Sequence, residues 1–191
     1  MAEGKRPSKV EIKGRKRLLD SWLKVDEAEV SFEKFSGEMS PPALRQLSLR
    51  GVAVAALLRH RRRDSFIFIR QFRFPVWDET HDWLLEIPAG MVEEGESPIE
   101  TAHREIVEET GYEAINLTEI ADCFPAPGFT DERIVIFTGE IDGDPGFAPG
   151  DGDEDIAIVE LGRQEAFTLL DRGEIRDAKT LIALLSVRGG A

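Results

Sequence analysis

Hydrophobic positions along the chain fall into short blocks, and the period of each block names the element it forms. Val52–Leu58 is an unbroken apolar run, and Phe66-Ile67-Phe68-Ile69 is a second. Runs of this length suit strands buried on both faces, and the Arg/His-rich stretch 59–64 between them predicts the turn that joins the pair. Further strands are predicted at Trp83–Ile87, Leu117–Phe124, Ile134–Glu140 and Ile156–Leu161. Val25–Phe35 alternates Val30, Phe32 and Phe35 with charges, as an exposed hairpin or edge strand does, before Ser40-Pro41-Pro42 breaks the chain. Helical spacing appears over Ser97–Thr110, Arg163–Arg172 and Asp177–Val187, the last two separated by Gly173. Asp142–Asp155 is rich in Gly, Pro and Asp, too polar and too broken for a core element. No internal repeat is evident.

Strands interleaved with amphipathic helices predict an α/β domain. At 191 residues with 41% hydrophobic content the chain can bury one substantial core. The formal charge is −13, from 37 acidic against 24 basic residues. That balance argues against nucleic acid and anionic membranes as partners, because both attract positive charge. Residues 1–17 run the other way: Lys5, Arg6, Lys9, Lys13, Arg15, Lys16 and Arg17 face only Glu3 and Glu11, which reads as a solvated, flexible head. A single cysteine, Cys123, excludes an intramolecular disulfide and a cysteine-rich zinc site, and a reducing cytoplasm is the expected compartment. No apolar run reaches the roughly 20 residues that span a bilayer, and the N-terminus lacks the apolar core of a signal peptide.

The densest chemistry lies in Gly90–Tyr112, GMVEEGESPIETAHREIVEETGY. Ser97 and Glu100 make a capping box around Pro98, and Gly111 suits a left-handed stop. Helical spacing sets Ile99, Ala102, Ile106 and Thr110 on one face toward a sheet, with Glu105, Glu108 and Glu109 on an adjacent stripe. Like charges at these spacings repel by a few tenths of a kcal/mol per pair. The preceding Glu86-Ile87-Pro88-Ala89-Gly90 ends a strand in a tight turn, which brings backbone carbonyls and Glu96 toward the same end. Oxygen ligands gathered this way suit a hard cation such as Mg²⁺ or Mn²⁺.

The spacing is Gly90, five residues, Glu96, seven residues, Arg104-Glu105-Ile106, one residue, Glu108-Glu109, one residue, Gly111-Tyr112. This resembles the complete signature of the Nudix hydrolases. Gln71-Phe72-Arg73 before it, Leu85–Gly90 entering it, and Pro125-Ala126-Pro127-Gly128-Phe129-Thr130-Asp131-Glu132-Arg133 after it are similar to the ADP-ribose pyrophosphatase branch, with Pro127 sixteen residues beyond Gly111. The resemblance covers roughly residues 50–185. It implies an α/β/α sandwich with a mixed sheet over 49–191, and an N-terminal strand appendage over 18–48 that is exchanged between the subunits of a homodimer.

The activity implied is Mg²⁺- or Mn²⁺-dependent hydrolysis of ADP-ribose to AMP and ribose 5-phosphate. The alternatives are another nucleoside diphosphate sugar, such as GDP-mannose, or a non-catalytic module that senses ADP-ribose. By the same resemblance the Ala89 carbonyl, Glu105, Glu109 and Glu154 are metal ligands, Glu108 assists through metal or water, and Arg104 orients the carboxylates. Gly152 stands where several relatives carry the base, which leaves Asp153, Asp151 or Glu154 for that role, or a metal-bound hydroxide that needs no base. Arg50, Gly51, Arg73, Met91, Pro127, Gly128 and Glu132 are the implied substrate contacts. Phe129, Trp77 and Trp83 are candidate stacking surfaces for adenine. His60, His81 and His103 have no metal-ligand spacing and are assigned no chemistry.

Overall fold

A computed structural model describes residues 8–146 and 155–189. In chain order these form β1 (Val10–Asp20), β2 (Lys24–Phe32), β3 (Ala43–Leu49), β4 (Val52–His60), β5 (Ser65–Gln71), α1 (Phe74–Thr80), β6 (Leu84–Glu86), β7 (Ala89–Met91), α2 (Pro98–Thr110), β8 (Ile115–Cys123), β9 (Arg133–Ile141), β10 (Ile156–Gly162), α3 (Arg163–Asp171) and α4 (Ala178–Arg188). They divide into two compact units: the chain up to Gly51 with Ala126–Glu132, and Val52–Pro125 with the chain from Arg133 onward. The first unit runs to Gly51 and takes in the Pro-Gly-Phe-Thr loop.

The second unit is a mixed sheet of order β10-β5-β4-β9-β8, with β6 on β5 and β7 on β4. β4 and β9 run parallel; the other pairs are antiparallel. The continuous apolar run of β4 follows from helices on both faces. Val54, Ala56 and Leu58 pack with Ala102 and Ile106 of α2, while Ala55 and Leu57 pack with Ala166 of α3 and Ala183 and Leu184 of α4. Strand alternation therefore feeds two cores from one segment.

α2 starts and stops where its sequence signals lie. Ser97 N–H donates to Glu100 at 2.8 Å, and Gly111, at φ 69°, donates its N–H to Val107 O at 2.8 Å. The packing face differs in part from expectation. Ile99 is 43% exposed, and the buried positions are Thr101, Ala102, Ile106, Glu109 and Thr110. In the first turn Thr101, not Ile99, faces inward, and the buried stripe takes in one of the three carboxylates.

The first unit is an antiparallel sheet of order β1-β2-β3. The expectation of a flexible head over 1–17 is corrected from Val10 onward, because those basic residues form β1. The cause is cross-strand charge: β1 lies along an acidic strand, with Arg17 opposite Asp26, Lys16 opposite Glu27 and Lys13 opposite Glu29. Arg15 and Arg17 both bind the Asp26 carboxylate, which together hold its pKa below the usual range.

Candidate active site

The register of β7 on β4 sets up the site. Ala56 N–H donates to Pro88 O at 3.0 Å and Val92 N–H to Val52 O at 2.9 Å, so residues 88, 90 and 92 occupy the ladder positions opposite β4. In an antiparallel pair the residues between them point their N–H and C=O groups the other way. Ala89 and Met91 therefore turn their polar groups out of the ladder. The Ala89 N–H donates to Glu109 Oε2 at 2.8 Å, and the Met91 carbonyl accepts from Arg104 Nη2 at 3.3 Å. Gly90 permits the close approach of α2, since a Cβ there would lie 1.9 Å from both the carboxyl carbon and Oε1 of Glu105. Any larger residue at position 90 would displace that carboxylate.

The three helix carboxylates have different environments. Glu109 is buried at 7% exposure, and burial pushes its carboxyl up to about 8; the charges of Glu105 and Glu86 add to this, while the Ala89 N–H and Arg73 oppose it. The Glu105 side chain is 15% exposed and that of Glu108 57%. Arg104 binds across the group: Nη1 donates to Glu105 at 2.8 Å and Glu108 at 3.0 Å, and Nε to Glu96 at 3.0 Å. Arg104, with help from the Thr101 hydroxyl, brings the Glu96 carboxyl down to about 2, and the same acids hold Arg104 above its ordinary value.

Among the described residues no three His, Cys, Asp or Glu side chains converge tightly enough to enclose a cation. Arg104 draws Glu105 and Glu108 to itself. The residues that do converge on Ala89-Gly90, Glu105 and Glu109, with the outward Ala89 carbonyl, still make an all-oxygen donor set of the kind a hard divalent cation takes. A buried carboxylate beside a second carboxylate also favours a cation as its partner. The cradle at Gly90 and the buried Glu109 thus fit a hard divalent cation in general.

A second cluster was not foreseen. Glu86, 2% exposed, accepts from Arg73 Nε at 2.7 Å and from Lys179 Nζ. Lys179 also donates to Asp177 at 3.0 Å, and the Ile87 N–H donates to Thr180 Oγ1 at 2.9 Å. The start of α4 thereby pins the strand that runs on to Ala89. Arg73, expected as a substrate contact, has its Nε committed to Glu86. The sequence carried one signal for this cluster, a charged residue between the apolar Leu85 and Ile87.

In the first unit, Asp131 Oδ1 accepts the backbone N–H of Arg50 at 2.7 Å and of Gly51 at 3.2 Å. Arg50 Nε lies 4.0 Å from Glu132, and its guanidinium sits 4.8 Å over the ring of Trp22. Trp22, Arg50 and Glu132, with Phe129 and Val25, line a cavity of about 450 Å³. Trp22, 84% exposed, was missed in the sequence because it falls in a short turn between strands. Pro127 and Gly128 are exposed in the loop that carries Phe129. Trp77 and Trp83 belong to a different group, around Phe72 at ring distances of 6.1 and 6.3 Å. The NUDIX domain family matches residues 49–184, well over half of the chain. The chain belongs to the Nudix family.

Curated Nudix relatives share most of its length. The ADP-ribose pyrophosphatase of Escherichia coli K12 is 35% identical over 181 residues, covering 92% of this chain and 86% of that protein. The GDP-mannose pyrophosphatase of Pectobacterium atrosepticum is 32% identical, covering 93% of each. A crystal structure of an ADP compounds hydrolase superposes with a TM-score of 0.73 at 25% identity, over 98% of this chain and 96% of that one. Of the Nudix residues expected to act, Glu154, Asp153 and Asp151, with Gly152, lie outside the described residues.

Proposed function

We infer that this Nudix pyrophosphatase hydrolyses ADP-ribose, adding water across the pyrophosphate to give AMP and ribose 5-phosphate. The observation that carries the reading is the convergence of Glu105 and Glu109 on Ala89-Gly90. The Escherichia coli relative supports the choice of substrate. The metal is Mg²⁺, with Mn²⁺ as the alternative; when bound, it would neutralise the nonbridging phosphate oxygens and activate water. Glu105, Glu109 and the Ala89 carbonyl would hold it, with Glu154 completing the set. Glu108, the most exposed of the three helix acids, orients water, and Asp153 is the candidate base. Arg104 keeps Glu105 and Glu108 in place by donating to both. Met91 contributes its backbone, and Arg73 a guanidinium for the phosphates.

For the nucleoside we assign the Trp22–Arg50 cavity of the first unit, with Gly51, Pro127, Gly128 and Glu132 on the loops that frame it. A planar base stacks on an exposed indole, and Glu132 suits a ribose hydroxyl. Stacking of this kind contributes about 1–3 kcal/mol. Trp22→Ala is therefore expected to raise KM about 5-fold or more with kcat nearly constant, and Trp22→Phe to retain most of the affinity. Steady-state kinetics separate the two, and an unchanged KM in Trp22→Ala would remove the assignment.

Hydrolysis of a panel of nucleoside diphosphate sugars with Mg²⁺, with products identified, tests the substrate. Preference for GDP-mannose would transfer the reading to the activity named for the Pectobacterium relative. Absence of turnover would favour an ADP-ribose sensor, against which the retained Glu105, Glu108 and Glu109 argue.

We also propose a homodimer in the cytoplasm. All eleven residues of β1 are exposed at the edge of its sheet, and a long edge strand offers its unpaired backbone N–H and C=O groups to a partner strand, with Val10, Ile12, Leu18 and Leu19 as apolar contacts among its charges. Sedimentation should give twice the chain mass, and a monomer at micromolar concentration would refute the pairing. No described helix is long and apolar enough to cross a membrane.

A further inference from the structure

The second unit holds another cavity, of about 560 Å³, on the sheet face opposite α2. Phe66 and Phe68 of β5 belong to the core under α3 and α4, and strand alternation sets Arg70 on that same side. Arg172 and Arg176 reach the cavity from the connection between α3 and α4, and Trp83, Leu85 and Leu169 supply apolar wall.

Three guanidiniums line this space against two carboxylates, Asp82 and Glu174. Both acids have local partners: Asp82 accepts the Trp83 N–H at 2.7 Å, and Glu174 lies 3.9 Å from Arg172. The side chains of Arg70 and Arg176 have neither ion pair, hydrogen bond nor aromatic contact among the described residues. In a chain with 37 acidic residues against 24 basic ones, two arginines left without an acid in one cavity form a local reversal of the field. The space is ample for a small ligand. The Trp83 ring, 47% exposed, offers it a flat face.

We propose that this cavity is a second ligand site, for a phosphate monoester carried on a planar apolar body, of which a nucleoside monophosphate is the type. Arg70 and Arg176 take the phosphate, and Trp83 with Leu85 and Leu169 takes the ring system. The site is separate from the Glu105–Glu109 carboxylates and needs no metal. Its binding is read independently of turnover.

The test is titration of the full chain with AMP in EDTA, followed by backbone and indole NMR shifts. Shifts at the Trp83 indole and at Leu84, Leu85 and Leu169 are expected, with saturation below millimolar AMP. Arg70→Gln/Arg176→Gln should weaken these shifts at least about tenfold, and ADP-ribose turnover by that variant should match the parent. Both side chains are exposed and unpartnered, so the thermal midpoint should hold as well. Added salt should weaken binding by screening the guanidiniums. Adenosine binding as tightly as AMP, shifts confined to residues away from Trp83, or shifts unaltered in the double variant would each overturn the proposal.

Discussion

Glu109→Gln is expected to lower kcat by at least about 10² while the protein stays folded, because the substitution keeps the shape and removes a charge that a divalent metal requires. Glu109 is the most buried of the helix acids, and its hydrogen bond from Ala89 fixes it at the floor of the site. The amide oxygen can still accept that N–H, so the β7–α2 contact survives. Stability supplies a second readout. With its folded pKa raised from an ordinary 4.5 to about 8, Glu109 favours the folded state fully below pH 4.5, and that contribution is lost as pH rises to about 8. Thermal midpoints in EDTA should therefore fall across this window for the parent chain. Mg²⁺ should reduce the slope by binding the ionised form, and Glu109→Gln should flatten it with or without Mg²⁺. Near-normal turnover in a folded Glu109→Gln protein at saturating Mg²⁺ would reject Glu109 as a metal ligand.

Local signals were readable in the sequence wherever one segment carried both the cause and the effect. The run Val52–Leu58 predicted a strand covered on both faces, and the two cores on alternate residues of β4 explain why no polar position interrupts it. The ends of α2 were legible from Ser97, Glu100 and Gly111, because caps act within one turn. The Glu105–Glu109 spacing was legible for the same reason. What escaped depends on partners far along the chain. β7 is three residues long and exists by pairing with β4. The basic stretch from Val10 became a strand through the acids of β2, a matching that composition alone does not reveal. α1 begins with Phe74-Pro75 and has no buried residue, so no periodic pattern marked it. The Trp22–Arg50 contact joins a turn to a strand end, and the arginine-lined cavity gathers Arg70 with Arg172 and Arg176.

The same distance hid Glu86, whose bond to Lys179 spans 93 positions, and Glu86→Ala is expected to be the most destabilising single change in the site. The carboxylate is 2% exposed and holds two cations, Arg73 and Lys179, the latter with a side chain only 11% exposed. Removing Glu86 strands the buried Lys179 ammonium, which costs about 3–5 kcal/mol for a buried pair, whereas Arg73, with a side chain 39% exposed, can turn to water. For a chain of this length that is a fall of roughly 6–20 °C in the thermal midpoint. Asp177 retains one contact to Lys179 and tempers the loss. Pairing the change with Lys179→Met should recover part of it, because the stranded ammonium is then absent, and the double variant should lose less than the sum of the single ones. Activity adds a test of position. Glu86 ties the strand leading to Ala89 to the start of α4, so the folded fraction of Glu86→Gln should show reduced kcat while Mg²⁺ still raises its midpoint. A midpoint for Glu86→Ala within a degree or two of the parent would mean that Arg73 and Lys179 find water or other acids, and that the buried cluster does not anchor the site.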